Sequence, residues 1–419
     1  MTDALRQTTQ YGYDAQTGVL HWVQAPLDTS ATRTNYAYDA MFRLTGVTKA
    51  VSGLSGGATQ VENSYTYEND RIKTITHSNT PDASTTYTFL YTAFAQVAGV
   101  KVGSRNLVLN TYNTDDQTFT LSQSVYGNGD HVSYAYDDRD RLISKQFETD
   151  TTPRFVYAYD NEGNLGSVTD TRLNTKTRFL YDLSGRTGQT VQTNATNNAL
   201  QHLVRWTYST DNNLSSVEET FDGSAFYHTS YTYDTDNRPT ILSYGSITGE
   251  NIYDAYGRLW SNYLNHTTEG SDEPVSMVMT TYGYTNPDDT HTSTQIRTLT
   301  NAVGTSYNKT YTYTYDANGN ILSVNDGTNI TSYVYDGLNQ LTRENNPAAG
   351  KTWTYAYDAG GNITEKREYT YTTGSLEGIA PLDTIAYGYT DEDWPDLLTS
   401  YDGQQITSDS IGNMLNDGT

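Results

Sequence analysis

Tyr157-Ala158-Tyr159-Asp160-Asn161-Glu162-Gly163-Asn164-Leu165 is the stretch on which the fold of this chain turns. Its two tyrosines flank a small residue, so on a strand both rings stand on one face and Ala158 on the other. Asp160 stands where a turn would begin, and its carboxylate can accept from backbone N–H groups two residues on. Gly163 then supplies a positive φ, as in a type I turn closed by a G1 bulge. Leu165 resumes the alternation on a returning strand. The phrase predicts a β-hairpin.

The phrase repeats. It returns at Tyr313-Thr314-Tyr315-Asp316-Ala317-Asn318-Gly319-Asn320-Ile321 and at Tyr355-Ala356-Tyr357-Asp358-Ala359-Gly360-Gly361-Asn362-Ile363. Shorter forms run through Tyr181-Asp182 to Arg186 and Tyr253-Asp254 to Leu259, and degenerate ones begin at Tyr38-Asp39, Tyr136-Asp137, Tyr233-Asp234 and Tyr335-Asp336. Tyr136, Tyr159 and Tyr181 stand 23 and 22 residues apart, the length of one hairpin with its connection. Where glycine is missing, Asp140, Asn237 and Asn339 replace it, residue types that tolerate the left-handed region. Phe42 breaks this rule. A lone hairpin is marginal in water, so hairpins in series are expected to share one continuous antiparallel sheet.

Composition agrees with a wet sheet. Only 35% of the 419 residues are hydrophobic, and 38 of them are tyrosine. Mean hydropathy is −0.68, too polar for the filling of a conventional sandwich or doubly wound domain. The net charge of −24 repels nucleic acid and anionic lipid, and neither is expected as a partner. With no cysteine, a thiol nucleophile, a disulfide framework and a Cys-based zinc site are excluded. No apolar run approaches a bilayer span, so no membrane insertion is expected, and no signal peptide is visible near Met1. Residues 51–60, 187–203, 266–276 and 371–383 interrupt the rhythm and are expected to be loops projecting from the sheet. Residues 98–125 fit poorly, with Tyr112 and Tyr126-Gly127-Asn128-Gly129 suggesting one drifted repeat.

On these motifs the chain resembles the YD-repeat, or Rhs-repeat, proteins, which include bacterial Rhs toxins, shell components of insecticidal toxin complexes and animal teneurins. The likeness covers nearly the whole chain. It implies a fold that is all-β, with tandem hairpins forming a sheet that spirals into a shell or barrel segment. In toxin members such a shell encloses a C-terminal segment. Tyr387-Gly388-Tyr389 and Trp394-Pro395-Asp396-Leu397-Leu398, followed by Tyr401-Asp402-Gly403, look like the approach to the terminal core of cell-wall-associated members. Self-processing members carry paired Asp-Pro motifs there, and none of the nine prolines here follows an aspartate. The expected organisation is one continuous array over residues 1–419, truncated at both ends, with degenerate repeats over 384–419. The strand after Gly412-Asn413 is expected to lack a partner.

Gly53-Leu54-Ser55-Gly56-Gly57 spells a nucleophile elbow, but no buried strand precedes it and no helix start follows, so it reads as linker. Asp316 to Asn320 alternates oxygen donors, yet Ile321 and Gly327 stand where a calcium loop needs Gly and Glu, so it reads as a turn. Histidines 21, 77, 131, 202, 228, 266 and 291 lie apart without metal-ligand spacing. No catalytic, cofactor or metal residue is assigned, and the chain is read as a non-enzyme. The leading expectation is a shell or scaffold segment of a secreted or cell-surface, cell-wall-associated bacterial protein. It would wall off or display a C-terminal polypeptide, with flanking parts of its own chain as partners. The alternative is an adhesion or carbohydrate-binding module presenting exposed tyrosines and Trp22, Trp206, Trp260, Trp353 and Trp394 to surface glycans or proteins.

Overall fold

The computed structural model describes residues 1–3, 6–114, 119–267, 275–284, 292–304 and 307–418. Apart from a three-residue 3-10 turn at Ser55–Gly57, every described element is a strand. Thirty-three strands, from Gln10–Tyr13 to Gln404–Gln405, make one antiparallel sheet in which sequence neighbours are spatial neighbours. The sheet is open, because no ladder joins its first strand to its last. The expected all-β spiral of tandem hairpins is what forms.

Each hairpin closed by the Tyr-Asp phrase carries the same irregularity. In the hairpin of Phe155–Tyr159 and Leu165–Asp170, Ala158 pairs with Ser167 but Tyr159 pairs with Leu165, leaving Gly166 as an extra residue. The same shift follows Leu142, Leu259, Ile321, Leu341 and Ile363. A bulge at a fixed place strengthens the local twist and bends the ribbon in one sense. Repetition of that bend curls the sheet.

The turns of the Tyr-Asp phrase all lie on one rim of the ribbon, and the connections between hairpins lie on the other. We call these the turn rim and the link rim. Little is buried between them: Val51, Leu54, Val102, Val132, Leu203, Ala302, Ala359, Tyr369 and Ile406 are the buried hydrophobics among the described residues. Aromatic side chains alternate with open positions along a strand, as in Phe155–Tyr159, where Val156 and Ala158 are exposed and the three rings are not. Burial pushes the phenols of Tyr157, Tyr313, Tyr333 and Tyr355 above their ordinary value.

Four expectations need correction. Residues 187–203 are mostly strand, Thr187–Asn194 and Leu200–Tyr208, because alternating Thr and Val suit a pleated surface; only the five residues between form a loop. Residues 51–60 do not project: Val51 and Leu54 are buried against the sheet's own second winding. Tyr126-Gly127-Asn128-Gly129 is a turn, but on the link rim, joining Leu121–Tyr126 to His131–Tyr136. The strand after Gly412-Asn413 has a partner, since Met414–Asn416 pairs with Thr407–Ser408. Of the 266–276 insert, residues 268–274 lie outside the described residues.

Candidate functional site

The turn phrase is the unit from which the site is built. In the Asp160 turn the amide of Gly163 donates to the carbonyl of Asp160, and the amide of Asp160 to the carbonyl of Asn164. Gly163 sits at φ 93°, and the substitutes Asp140, Asn237 and Asn339 sit at 60°, 60° and 63°. Phe42 is held at 61° as well, although its side chain is exposed and nothing obliges a bulky residue there. Replacing Phe42 by glycine is therefore expected to stabilise the protein by about 1 kcal/mol, read as a rise in thermal midpoint; an unchanged or lower midpoint would contradict it.

The aspartate does more than open the turn. Asp137 Oδ1 accepts from the amides of Arg139 and Arg141, each at 3.0 Å, while Oδ2 accepts from Arg141 Nε at 2.8 Å. Asp182, Asp234 and Asp254 repeat this with Arg186, Arg238 and Arg258. Asp160, Asp316 and Asp358 do it with Asn164, Asn320 and Asn362. Both oxygens of the Asp316 carboxylate are thus engaged within its own turn. The arginine hydrogen bond holds Asp137 down to about 2, and Asp182 is lowered by the same cause. Depressed carboxylates add stability above their ordinary value of 3.8 and lose it as pH falls toward the folded value. Acid titration followed by circular dichroism should therefore show the array loosening between about pH 4 and pH 2. A Tm flat across that range would show that the turns do not depend on their carboxylates.

The second tyrosine welds each repeat to the one before. Tyr159 Oη donates to the carbonyl of Leu142, 2.9 Å away, where the ladder between the two hairpins has already ended. Tyr38, Tyr67, Tyr91, Tyr181, Tyr233, Tyr357 and Tyr389 make the equivalent bond to Leu20, Leu44, Ile72, Leu165, Leu214, Leu341 and Ile363. The turn arginine of the earlier repeat lies over the same ring, Arg141 over Tyr159 at 4.5 Å and Arg186 over Tyr208 at 4.2 Å. Tyr159→Phe keeps the ring and removes the bond, so a loss of about 1 kcal/mol is expected in a denaturant melt. No loss would mean that the hydroxyl is ornamental.

Repetition of these units closes a seam. The ribbon winds until the turn rim of its second lap rests on the link rim of its first. Leu27 N donates to Asn318 Oδ1, Ser104 to Asp393, and Asn128 Nδ2 to Asp409, across 291, 289 and 281 residues. Arg105 pairs with Asp391 at the same junction. Ala359, 2% exposed, fits between Val51 and Leu54, with Ala58, Val61 and Leu338 around them. The amide of Ala359 donates to the carbonyl of Asn79. Asp396 is the most heavily engaged seam residue: its carboxylate meets His77 Nε2 at 2.9 Å and accepts from Asn79 and Asn362. Burial works to raise Asp396, but hydrogen bonds from His77, Asn362 and Asn79 outweigh it and hold the carboxyl low; the same bond from Asp396 raises His77.

The sequence motifs fall unevenly on this seam. Ser55 belongs to it, accepting from Thr364 Oγ1 at 2.8 Å, and is not linker. Among the histidines, His77 is a seam residue, His202 pairs with Glu219 and stacks on Phe221, and His291 lies outside the described residues. Of the tryptophans, Trp394 enters the seam, where Nε1 donates to Tyr87 Oη. Trp22 carries Arg33 over its ring, and Trp353 bonds Glu368 under Lys366. Trp260 is 46% exposed. Thr92 and Ser209 open phrase turns with a hydroxyl in place of the carboxylate, accepting the same i+2 and i+4 amides.

A profile of the RHS Repeat matches residues 335–374, the two hairpins that supply Leu338, Ala359 and Asn362 to the seam. The whole fold is similar to the crystal structure of TcdB2-TccC3, with a TM-score of 0.59 at 14% identity over 98% of this chain. Residues 335–374 thus carry an RHS repeat. A second likeness, to TcdB2-TccC3 without its hypervariable C-terminal region, has a TM-score of 0.60 at 13% identity and covers 98% of the chain. The chain spans about a quarter of the length of both, 25% and 24%. At such identities the likeness speaks for the fold alone. No curated protein sequence matches the chain.

Proposed function

We propose that this YD-repeat chain is a wall segment of a secreted or surface protein, a non-enzymatic scaffold that surrounds or displays a polypeptide. The observation that carries the reading is the seam. Contacts spaced 281–291 residues apart support a ribbon that returns to itself at a constant pitch. About 23 strands separate the partners, and at ~4.8 Å per strand they give a circumference of ~110 Å and a backbone diameter of ~35 Å. Side chains narrow the lumen further, to a bore suited to an unfolded or extended chain. The TcdB2-TccC3 likeness supports a shell, and the relative without a hypervariable C-terminal region names a terminal part that a shell could hold.

Limited proteolysis of the full-length gene product tests the enclosing role. Polypeptide surrounded by the wall should survive a protease that digests the same polypeptide expressed alone. Equal digestion in the two settings would overturn enclosure. One observation favours the adhesive reading: Phe221, Tyr227 and Tyr244 stand 48%, 46% and 42% exposed beside one another, next to Glu219, as a stacking surface for a sugar ring. Loss of glycan-array binding in Tyr227→Ala would support it, and absence of any binding in the parent would remove it.

A further inference from the structure

Asparagine is followed by glycine at two places in the chain, Asn128-Gly129 and Asn318-Gly319, and both pairs lie on the seam. The dipeptide has a chemistry of its own. Glycine has no side chain to shield its backbone nitrogen, so that nitrogen can reach Cγ of the asparagine before it. It bonds to Cγ, the C–N bond of the carboxamide breaks, and ammonia leaves with the hydrogen of the glycine amide. Water then opens the five-membered imide on one side or the other, giving aspartate or isoaspartate. The product carries a negative charge where the parent had a hydrogen-bond donor, and the ammonia does not return.

The two pairs play opposite parts in the seam. Asn318 accepts across it: Oδ1 receives the amide of Leu27, 3.3 Å away, a bond that a carboxylate accepts equally well. Its Nδ2 donates to Asn339 Oδ1, but that oxygen also receives Asn320 Nδ2 at 2.8 Å. Asn128 donates across it. Its Nδ2 bridges two carboxylates, Asp130 at 2.9 Å and Asp409 at 3.0 Å, while Oδ1 accepts from the Asp130 amide. Ile411 of the Asp409 turn closes over Gly127, where a Cβ would lie 3.2 Å from its side chain. Burial works to raise the Asp409 carboxyl, and hydrogen bonds from Asn413, Asn128 and Ile411 hold it low. A carboxylate at position 128 removes the bridging donor and sets three negative charges together. The closed seam also restrains the reaction, because the Gly129 amide donates to the Tyr126 carbonyl at 3.0 Å and Asp409 pins the carboxamide. We infer that Asn128-Gly129 is a site of spontaneous deamidation whose product releases the Asp409 turn from the first lap, a one-way loosening of the wall with age. Local opening of the link is the slow step, so an opened seam speeds the reaction and the reaction keeps the seam open. The inference is independent of what the wall surrounds.

Peptide mapping by mass spectrometry, on the whole chain kept for weeks in mildly alkaline buffer, tests this. Aspartate and isoaspartate should accumulate at residue 128, and Asp409→Ala, which frees the carboxamide, should speed them severalfold. Hydrogen exchange is read on the same samples. In the aged chain, and in a freshly made Asn128→Asp protein, the amides of Ile411 to Asn413 should lose about tenfold in protection, the effect of one charge-assisted hydrogen bond. Asn318→Asp should leave Leu27 as protected as in the parent. An aged chain with Asn128 intact, an Asp409→Ala protein that deamidates at the parent's rate, or an Asn128→Asp protein whose Asp409 turn stays protected would overturn the proposal. Should Asn128→Asp lose its fold by circular dichroism, aged and fresh parent are compared at the same amides, and equal protection there would overturn it.

Discussion

Trp394→Ala is expected to cost about 3 kcal/mol of local stability and to peel the second lap away from the first. The indole donates to Tyr87 Oη at 3.1 Å, and its six-membered ring lies where a side chain at Gly412 would begin. It thus joins a first-lap strand, its own loop and the final turn. Deleting it opens a cavity bordered by three segments that share no strand ladder. A repeat array does not unfold as one unit, so the effect belongs to the seam. Hydrogen exchange should rise in residues 391–418, around Tyr87 and at the Asn128 link on which Asp409 sits, with the hairpins from Phe155 to Tyr253 unchanged. Uniform deprotection along the chain, or none, would refute the seam as a separate unit of stability.

Asp396→Ala is expected to cost about 2–3 kcal/mol at the same junction, because it strands its partners. Asn79 is 2% exposed, and its carbonyl oxygen already accepts from the buried Thr85 hydroxyl, so its amide has no other place to turn. His77 would keep its burial and lose its counter-charge. The pair also sets a pH window. His77 is raised above its ordinary 6.5, so its contribution is complete below that value and is lost as pH rises through the folded one. Asp396 is lowered beneath 3.8, so its contribution is present above that value and lost as pH falls. Asp358, the other charge facing His77, acts in the same direction on the imidazole. The seam should be tightest between the two ordinary values, 3.8 and 6.5, and protection of Asn79 and Ala359, taken relative to the intrinsic exchange rate at each pH, should fall as pH rises through the raised His77 value or drops through the lowered Asp396 value. A protection factor there that stays constant with pH, or an Asp396→Ala protein as protected as the parent, would show that the pair does not hold the laps.

The hairpins could be read in the sequence because everything that makes them is local. Tyr159, Asp160, Gly163 and Asn164 settle one turn within six residues, and the left-handed positions of Asp140, Asn237 and Asn339 follow from residue type. The tyrosine-to-leucine bond spans one repeat and leaves a trace, the fixed phase of the second tyrosine, whose purpose shows only when the bulge is seen. The seam leaves almost none. Asp396 and His77 lie 319 residues apart in segments that break the phrase, and no periodicity links them. The elbow-like serine reads as linker for the same reason, since Val51 and Leu54 acquire their partners only after a full lap. Thr92 and Ser209 do not stand out in the sequence because a hydroxyl takes the place of the phrase's carboxylate.

A constant pitch constrains how such a gene can change. In an open solenoid one unit can be duplicated or lost with little effect beyond its neighbours. Here a hairpin added between Tyr159 and Tyr253 would lengthen the first lap and slide the later turns along the link rim, parting Ala359 from Val51 and Asp396 from His77. Repeat number within a lap is thereby locked, while rim loops that take no part in the seam, such as the one between Asn194 and Leu200, remain free to vary. Homologues of this chain should differ in loop length far more often than in hairpin count.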